Sequence, residues 1–352
     1  MRYSGVCFPA EVFLKRLFFA AALLALHGAA RAADCVEPPA DPSNTYDAPH
    51  TYDKLARDYP FIRIADAALP SGVRKVADQT YVQYGTRCLK LDMYLPEPAA
   101  GRRSPVVVLV HGGGWRSGFR SEFAPMAVRL AGRGYAAVTV SYRLSGEARY
   151  PAAIQDVQAA VRWVRGNAER YQLDAGRIAL AGGSAGGQIA ALAGVAAQDA
   201  DKVQAIINID GLSDFTSELA LRHEDDPKKN PSSAGAWFGG RYAEKSALWR
   251  EASPIEYVSP GMPPILFIGS GQARFSAGRE EMMAKMAQAG VKAERLILPD
   301  TPHSFWLFDP WLQTTTDAAI NFLVSTLVSV PTFGHCGTFA DAKSSAMSEC
   351  RH

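Results

Sequence analysis

The stretch RIALAGGSAGGQIAALA, residues 177–193, decides the fold. Arg177–Ala181 reads as a short apolar strand and Ser184–Ala197 as a helix. Between them, Gly182-Gly183-Ser184-Ala185-Gly186 has the spacing G-x-S-x-G. In a strand–turn–helix context this spacing presents a serine hydroxyl from a strained turn at the top of a sheet. The glycines let strand and helix pass closely. The helix N-terminus behind Ser184 favours negative charge developing there. Ser184 is the expected nucleophile. The bland alternative is a Gly-rich phosphate loop or a plain small-residue turn, and the rest of the chain decides between them.

The same alternation of strand and helix runs outward from this point. Strand-like runs are Tyr81–Tyr84, Leu89–Leu95, Val106–Val110, Ala136–Ser141, Arg177–Ala181, Ala205–Ile209, Ile265–Ile268 and Arg295–Leu298. From Val106 onward they are apolar and β-branched, as buried parallel strands are. Helical patterns lie near Ser121–Gly132, Pro151–Arg170, Ser184–Ala197, Arg279–Ala289 and Thr315–Val328. The pattern predicts an α/β fold, a mostly parallel sheet with helices on both faces. The rhythm breaks over residues 212–259, a Gly-, Asp- and Trp-bearing insertion expected to form a lid or substrate wall. Residues 33–78 are rich in Pro, Asp and Tyr and read as an N-terminal extension wrapping the domain, with a short helix near Tyr52–Tyr59. The hydrolytic domain is expected at 79–330 and a C-terminal tail at 331–352.

Two further motifs complete a chemistry. Strand Val106–Val110 runs into His111-Gly112-Gly113-Gly114-Trp115. Acyl transfer needs backbone N–H donors aimed at a tetrahedral oxyanion, and glycines let the chain turn them inward. The expected donors are Gly113, Gly114 and, after the nucleophile, Ala185. His111 reads as a buried residue orienting this loop, not as the base. Strand Arg295–Leu298 leads to Pro299-Asp300-Thr301-Pro302-His303, and a catalytic histidine belongs after the last strand. His303 is therefore the expected base.

These motifs carry a resemblance. From about Tyr81 to Leu327 the sequence resembles an α/β-hydrolase of the hormone-sensitive-lipase and bacterial acetyl/feruloyl esterase type. The matching stretches are HGGGW at 111–115, YPAAIQDVQAAVRW at 150–163, GGSAGG at 182–187 and WREASPIEYVSPGMPP at 249–264. PPILFIGSGQARFSAGREEM at 263–282, PDTPHSFWLF at 299–308 and Tyr59-Pro60-Phe61-Ile62 resemble bacterial carbohydrate esterases associated with plant cell-wall polysaccharide, often labelled pectin or acetyl esterases. The resemblance implies ester hydrolysis through an acyl-serine, with no cofactor and no metal; no Cys/His set here has metal-ligand spacing.

The triad acid departs from the pattern. Such esterases usually carry it after the strand that is Ile265–Ile268 here, yet Gly269-Ser270-Gly271-Gln272-Ala273-Arg274 holds no carboxylate. Glu280 and Glu281 read as the acidic first turn of a helix. The preceding strand, Ala205–Ile209, ends in Asp210-Gly211-Leu212-Ser213-Asp214. Asp210 is the preferred orienter of His303. Asp214, Asp300 and a Ser–His dyad stay open, and Asp156 matches a structural aspartate of the family.

Composition narrows the partners. The 352 residues are 48% apolar and 20% charged, which suits a folded domain with a large core. The net charge of +2 argues against a nucleic-acid binder. Lys15 and Arg16, the apolar run Leu17–Leu26 and Ala30-Arg31-Ala32 read as a secretory signal over residues 1–32, too short to span a bilayer. Its removal takes away Arg2, Lys15, Arg16, Arg31 and Glu11, which turns +2 into −1. The expected location is periplasmic or secreted, with no membrane attachment after cleavage. Four of the five cysteines then remain, and Cys35–Cys88 with Cys336–Cys350 is one of three pairings.

The expected substrate is an ester, with plant polysaccharide such as pectin or xylan the favoured source. Trp115, Trp306, Arg274 and Arg279 are the expected substrate contacts. The tryptophans would stack on sugar, and the arginines would grip a uronate carboxylate. Trp237, Phe305 and Trp311 are further aromatic candidates against a background of ordinary packing. The competing readings are a general carboxylesterase, lipase or feruloyl esterase on small esters, a serine peptidase, and a catalytically impaired glycan-binding module, for which the missing acid speaks.

Overall fold

A computed structural model describes residues 35–37, 44, 46–97 and 101–327. The expected signal (1–32), the tail (331–352) and with it Cys336 and Cys350 lie outside these residues. Helix α1 (Ala48–Leu55) opens on Asp47, whose carboxylate accepts from the His50 N–H at 2.8 Å. There follow β1 (Arg63–Ile64), β2 (Val73–Tyr84), β3 (Arg87–Pro96), β4 (Ser104–Val110), α2 (Ala124–Ala131), β5 (Ala136–Val140), α3 (Ala152–Gly166), α4 (Ala168–Tyr171), β6 (Leu173–Gly183) and α5 (Ala185–Val195). The second half holds β7 (Ala205–Ile209), α6 (Glu218–Glu224), α7 (Ser233–Phe238), α8 (Tyr242–Glu251), β8 (Ile265–Ser270), α9 (Arg279–Gln288), β9 (Ala293–Leu298), β10 (Phe308–Asp309) and α10 (Trp311–Leu327).

Eight strands form one sheet in the order β2-β3-β5-β4-β6-β7-β8-β9. β3 is antiparallel to both its neighbours, and every pair from β5 to β9 is parallel. β4 is followed by β5 on one side and its other neighbour β6 is followed by β7 on the opposite side, so the loops leaving β4 and β6 diverge and open a crevice at their C-terminal ends. The core has two layers because side chains alternate along a strand. Val106, Val108 and Val110 of β4 join one buried cluster with α3 and α5, while Val107 and Leu109 join the other with α2 and α10.

β2, β3, β4, β6 and β9 begin earlier than their apolar runs suggest, whereas β5, β7 and β8 begin where expected. β2 starts at Val73, not Tyr81, because it is a solvent-facing edge strand with polar residues and no apolar signal. The helix expected over Pro151–Arg170 breaks at Asn167, whose side chain donates to the Trp163 carbonyl at 2.9 Å and leaves α3 and α4 separate. The last helix starts at Trp311, one turn before its expected start at Thr315.

The described residues of the extension are laced to the domain at several points. Cys35 is bonded to Cys88, and Glu37 pairs with the buried Arg120, which also holds Asp78 and Asp92. β1 pairs with β10, Arg63 opposite Asp309, while Tyr59 and Phe61 meet Trp311 edge-on. The insertion is equally well seated. Phe215, Trp237, Phe238 and Trp249 pack on one another, and both tryptophans are fully buried in the sheet's own core cluster. It is a packed wall of the cleft.

Candidate active site

Ser184 stands between β6 and α5 with φ 56° and ψ −125°. A left-handed φ is costly for a residue with a side chain and persists only where neighbours over-determine it. Here they do: the Ser184 N–H donates to the Ile209 carbonyl at 2.8 Å. A Cβ on Gly186 would sit 2.2 Å from the Val110 carbonyl oxygen, so only glycine lets α5 pass β4 so closely. Of seven non-glycine residues with positive φ among the described residues, Trp115, Ser184, Asp210 and Ser304 all belong to this region.

The imidazole of His303 bridges two groups. Its Nε2 lies 2.8 Å from Ser184 Oγ, and its Nδ1 lies 3.0 Å from Asp210 Oδ2. The second distance sets the tautomer: Nδ1 carries the proton toward the carboxylate and Nε2 is free to accept from the serine. Asp210 is fully buried, and its other oxygen accepts the Ser270 N–H at 2.8 Å. The β8 end, which holds no carboxylate of its own, thus supplies a donor that fixes the carboxylate of β7. Asp214 turns away, accepting from the N–H and hydroxyl of Thr216, both at 2.7 Å. Asp300 is exposed, and Glu280 pairs with Arg279 and Arg295. Asp156 is buried on Arg143 and Tyr84.

Three influences act on the His303 pKa. Burial lowers it below the ordinary imidazole value, the Asp210 carboxylate pulls it back up, and the charge of Arg274 lowers it further, for a net lowering. His303 is therefore neutral at neutral pH. Its ring is covered by the parallel ring of Phe275, with centroids 3.3 Å apart, and is met edge-on by Trp306.

The glycine loop faces the serine. Gly113 and Gly114 have φ 107° and 58°, and the Gly113 carbonyl is held by the N–H groups of Arg116 and Ser117 and by the Ser117 hydroxyl. Among the described residues the N–H groups of Gly113, Gly114 and Ala185 have no protein acceptor, and all three residues line the cleft with Ser184. His111 is buried, stacked on Tyr142, with Nδ1 2.8 Å from the Gly112 carbonyl. Burial pushes its pKa down to about 4, so it is a neutral support of the loop.

The cleft holds about 560 Å³. It brings in Trp115 and Arg274 of the expected substrate contacts. The other two are corrected. Arg279 is absent from the lining and pairs with Glu280 at 2.8 Å because it opens α9. Trp306 is buried against Gly183 and His303 and supports the imidazole. Trp115 is itself largely packed, stacked on Trp237 with its Nε1 donating to Gln188. The lining also includes Tyr46, Arg116, Glu224 and Phe275, none of which was singled out from sequence. Tyr46 comes from the extension, its hydroxyl wedged where a Cβ on Gly112 would lie 2.4 Å away. It lies in a stretch without periodicity, so no local pattern marks it. Arg116 had one available signal, its place directly after HGGGW.

The family described as BD-FAE matches residues 91–274. Esterase LipQ of Mycobacterium tuberculosis is 33% identical over 255 residues, covering 67% of this chain and 60% of its own length. The chain thus spans about three fifths of that relative. A thermophilic esterase of Thermogutta terrifontis superposes with a TM-score of 0.59 at 24% identity, over 72% of this chain and 94% of that one. A bifunctional GH43-CE protein of Bacteroides eggerthii gives a TM-score of 0.60 at 26% identity, over 71% of this chain and 38% of that one.

Proposed function

The chain belongs to the BD-FAE family, with an α/β-hydrolase fold, and on that premise we propose that it is an exported serine ester hydrolase acting on esterified plant polysaccharide such as pectin or xylan. The observation that carries the hydrolase reading is the continuous relay Ser184 Oγ–His303–Asp210, at 2.8 and 3.0 Å, facing the Gly113, Gly114 and Ala185 N–H groups.

In this reading Ser184 Oγ attacks the ester carbonyl while His303 Nε2 takes its proton. The carbonyl oxygen becomes an oxyanion held by the three N–H groups, each typically worth ~2.7–4 kcal/mol in the transition state. Collapse expels the alcohol, which leaves with the proton from His303, and an acyl-Ser184 remains. Water, activated by the same imidazole, then releases the acid and restores the serine. Asp210 steadies the imidazolium in both steps and stays ionised. The inert glycan-binding alternative rested on a missing acid, and Asp210 beside His303 removes that support.

The bonded Cys35 and Cys88 support export, since disulfides persist in oxidising compartments. Support for the carbohydrate substrate comes from the Bacteroides eggerthii GH43-CE neighbour. LipQ favours a second reading, general carboxylesterase action on small esters. Product analysis separates them. Release of acetate, methanol or ferulate from pectin or xylan, abolished by Ser184→Ala, supports the first. Hydrolysis confined to small lipophilic esters supports the second.

A further inference from the structure

We propose that the cleft contains a carboxylate-binding subsite formed by Arg274 and Arg116, which selects esters of acidic sugars; this rests on the hydrolase reading above. Four residues that can carry charge line the cleft besides His303: Asp210, Glu224, Arg116 and Arg274. Asp210 is committed to His303 and Ser270. Glu224 makes no ion pair with either arginine among the described residues; burial raises its pKa, and the charges of Arg274 and Lys229 pull it back in part.

Among the described residues neither arginine pairs with a carboxylate. Elsewhere Arg87, Arg120, Arg129, Arg143, Arg162 and Arg177 all pair with acids. Arg274 has no ion pair among the described residues, and its Nε is buried without a hydrogen-bond partner. A buried donor of a charged group without an acceptor is costly unless an anion or water satisfies it. Arg116 is exposed, and its guanidinium has no hydrogen bond among the described residues.

Arg274 is also held in place. Its guanidinium carbon sits 4.2 Å from the centroid of the Phe275 ring, and that ring covers His303. The stack Arg274–Phe275–His303 fixes a planar fork of donors one residue-layer from the reacting centre. Arginine on an aromatic face, with guanidinium donors that have no partner among the described residues, is suited to binding a carboxylate bidentately. A neutral sugar would bring no acceptor of matching charge. A uronate carboxylate would, while an ester on the same ring or the next one is presented to Ser184 in the same cleft.

The test is direct binding of unesterified trigalacturonate and xylotriose to the Ser184→Ala protein by calorimetry, which needs no turnover. The expected result is at least tenfold tighter binding of trigalacturonate, weakening as salt rises. Adding Arg274→Gln should remove most of that preference, Arg116→Gln a smaller part, and Arg274→Lys should restore some of it. Equal or weaker binding of trigalacturonate overturns the proposal, as does a preference that survives both Gln changes. A merely structural role for Arg274 would weaken both sugars alike and also overturns it. The hydrolase reading is judged separately, by Ser184-dependent cleavage of 4-nitrophenyl acetate: that activity without trigalacturonate preference defeats the subsite alone.

Discussion

β7 and β8 run side by side, paired from Ile206↔Ile265 to Ile209↔Ile268, and the loops at their ends both reach His303. They act on it in opposite senses. The β7 end delivers Asp210, whose negative charge favours the imidazolium. The β8 end delivers Phe275 and Arg274, whose cover and positive charge disfavour it. The two ends are also joined, since the Ser270 N–H of β8 holds the carboxylate of β7. A triad acid is thus defined by reach to Nδ1, and the strand that lacks it keeps a part in positioning it.

Four changes separate the contributions of the two strand ends. Asp210→Asn removes the β7 contribution and should lower kcat on an activated acetate ester by ~10⁴, with the fold intact by circular dichroism. Phe275→Ala removes the β8 cover, and with the imidazole less well held kcat should fall ~10–100-fold. The same change should move the acid limb of kcat/KM to higher pH, because less burial means a smaller lowering of the His303 pKa.

Arg274→Gln should move that limb in the same direction by a smaller amount, since only a nearby positive charge is lost. In the unaltered protein, activity is expected to fall with acidification only below the ordinary imidazole value of about 6.5. A limb at or above that value would contradict the net lowering. Asp214→Asn is the smallest: it weakens a local turn by about 1 kcal/mol, read as a lower melting temperature, and leaves kcat nearly unchanged.

The parts of the site that sequence revealed are those where the backbone leaves no choice. A Cβ on Gly186 collides with the Val110 carbonyl, so the elbow has to be spelled in glycine and serine. Asp210 was readable from its place at a strand end. The cleft's other walls are assembled over long sequence distances. Tyr46 is placed through the lacing of the extension, by Cys35–Cys88 and the β1–β10 ladder, which leaves no local pattern. Arg274 and Arg279 looked equivalent in sequence. They diverge because one lies in the short 3-10 turn Ala273–Ser276 against the cleft and the other opens α9. Edge strand β2 went largely unread for a related reason, because pairing with β3 and not burial holds its polar half.

Whether Asp210, from β7, arms Ser184 through His303 is read most directly from the rate at which a fluorophosphonate labels the protein, followed by intact mass, with the adduct mapped by peptide sequencing. One adduct is expected, on Ser184, forming orders of magnitude more slowly in Asp210→Asn and at the normal rate in Asp214→Asn. Unchanged labelling in Asp210→Asn, or an adduct on another residue, would contradict it.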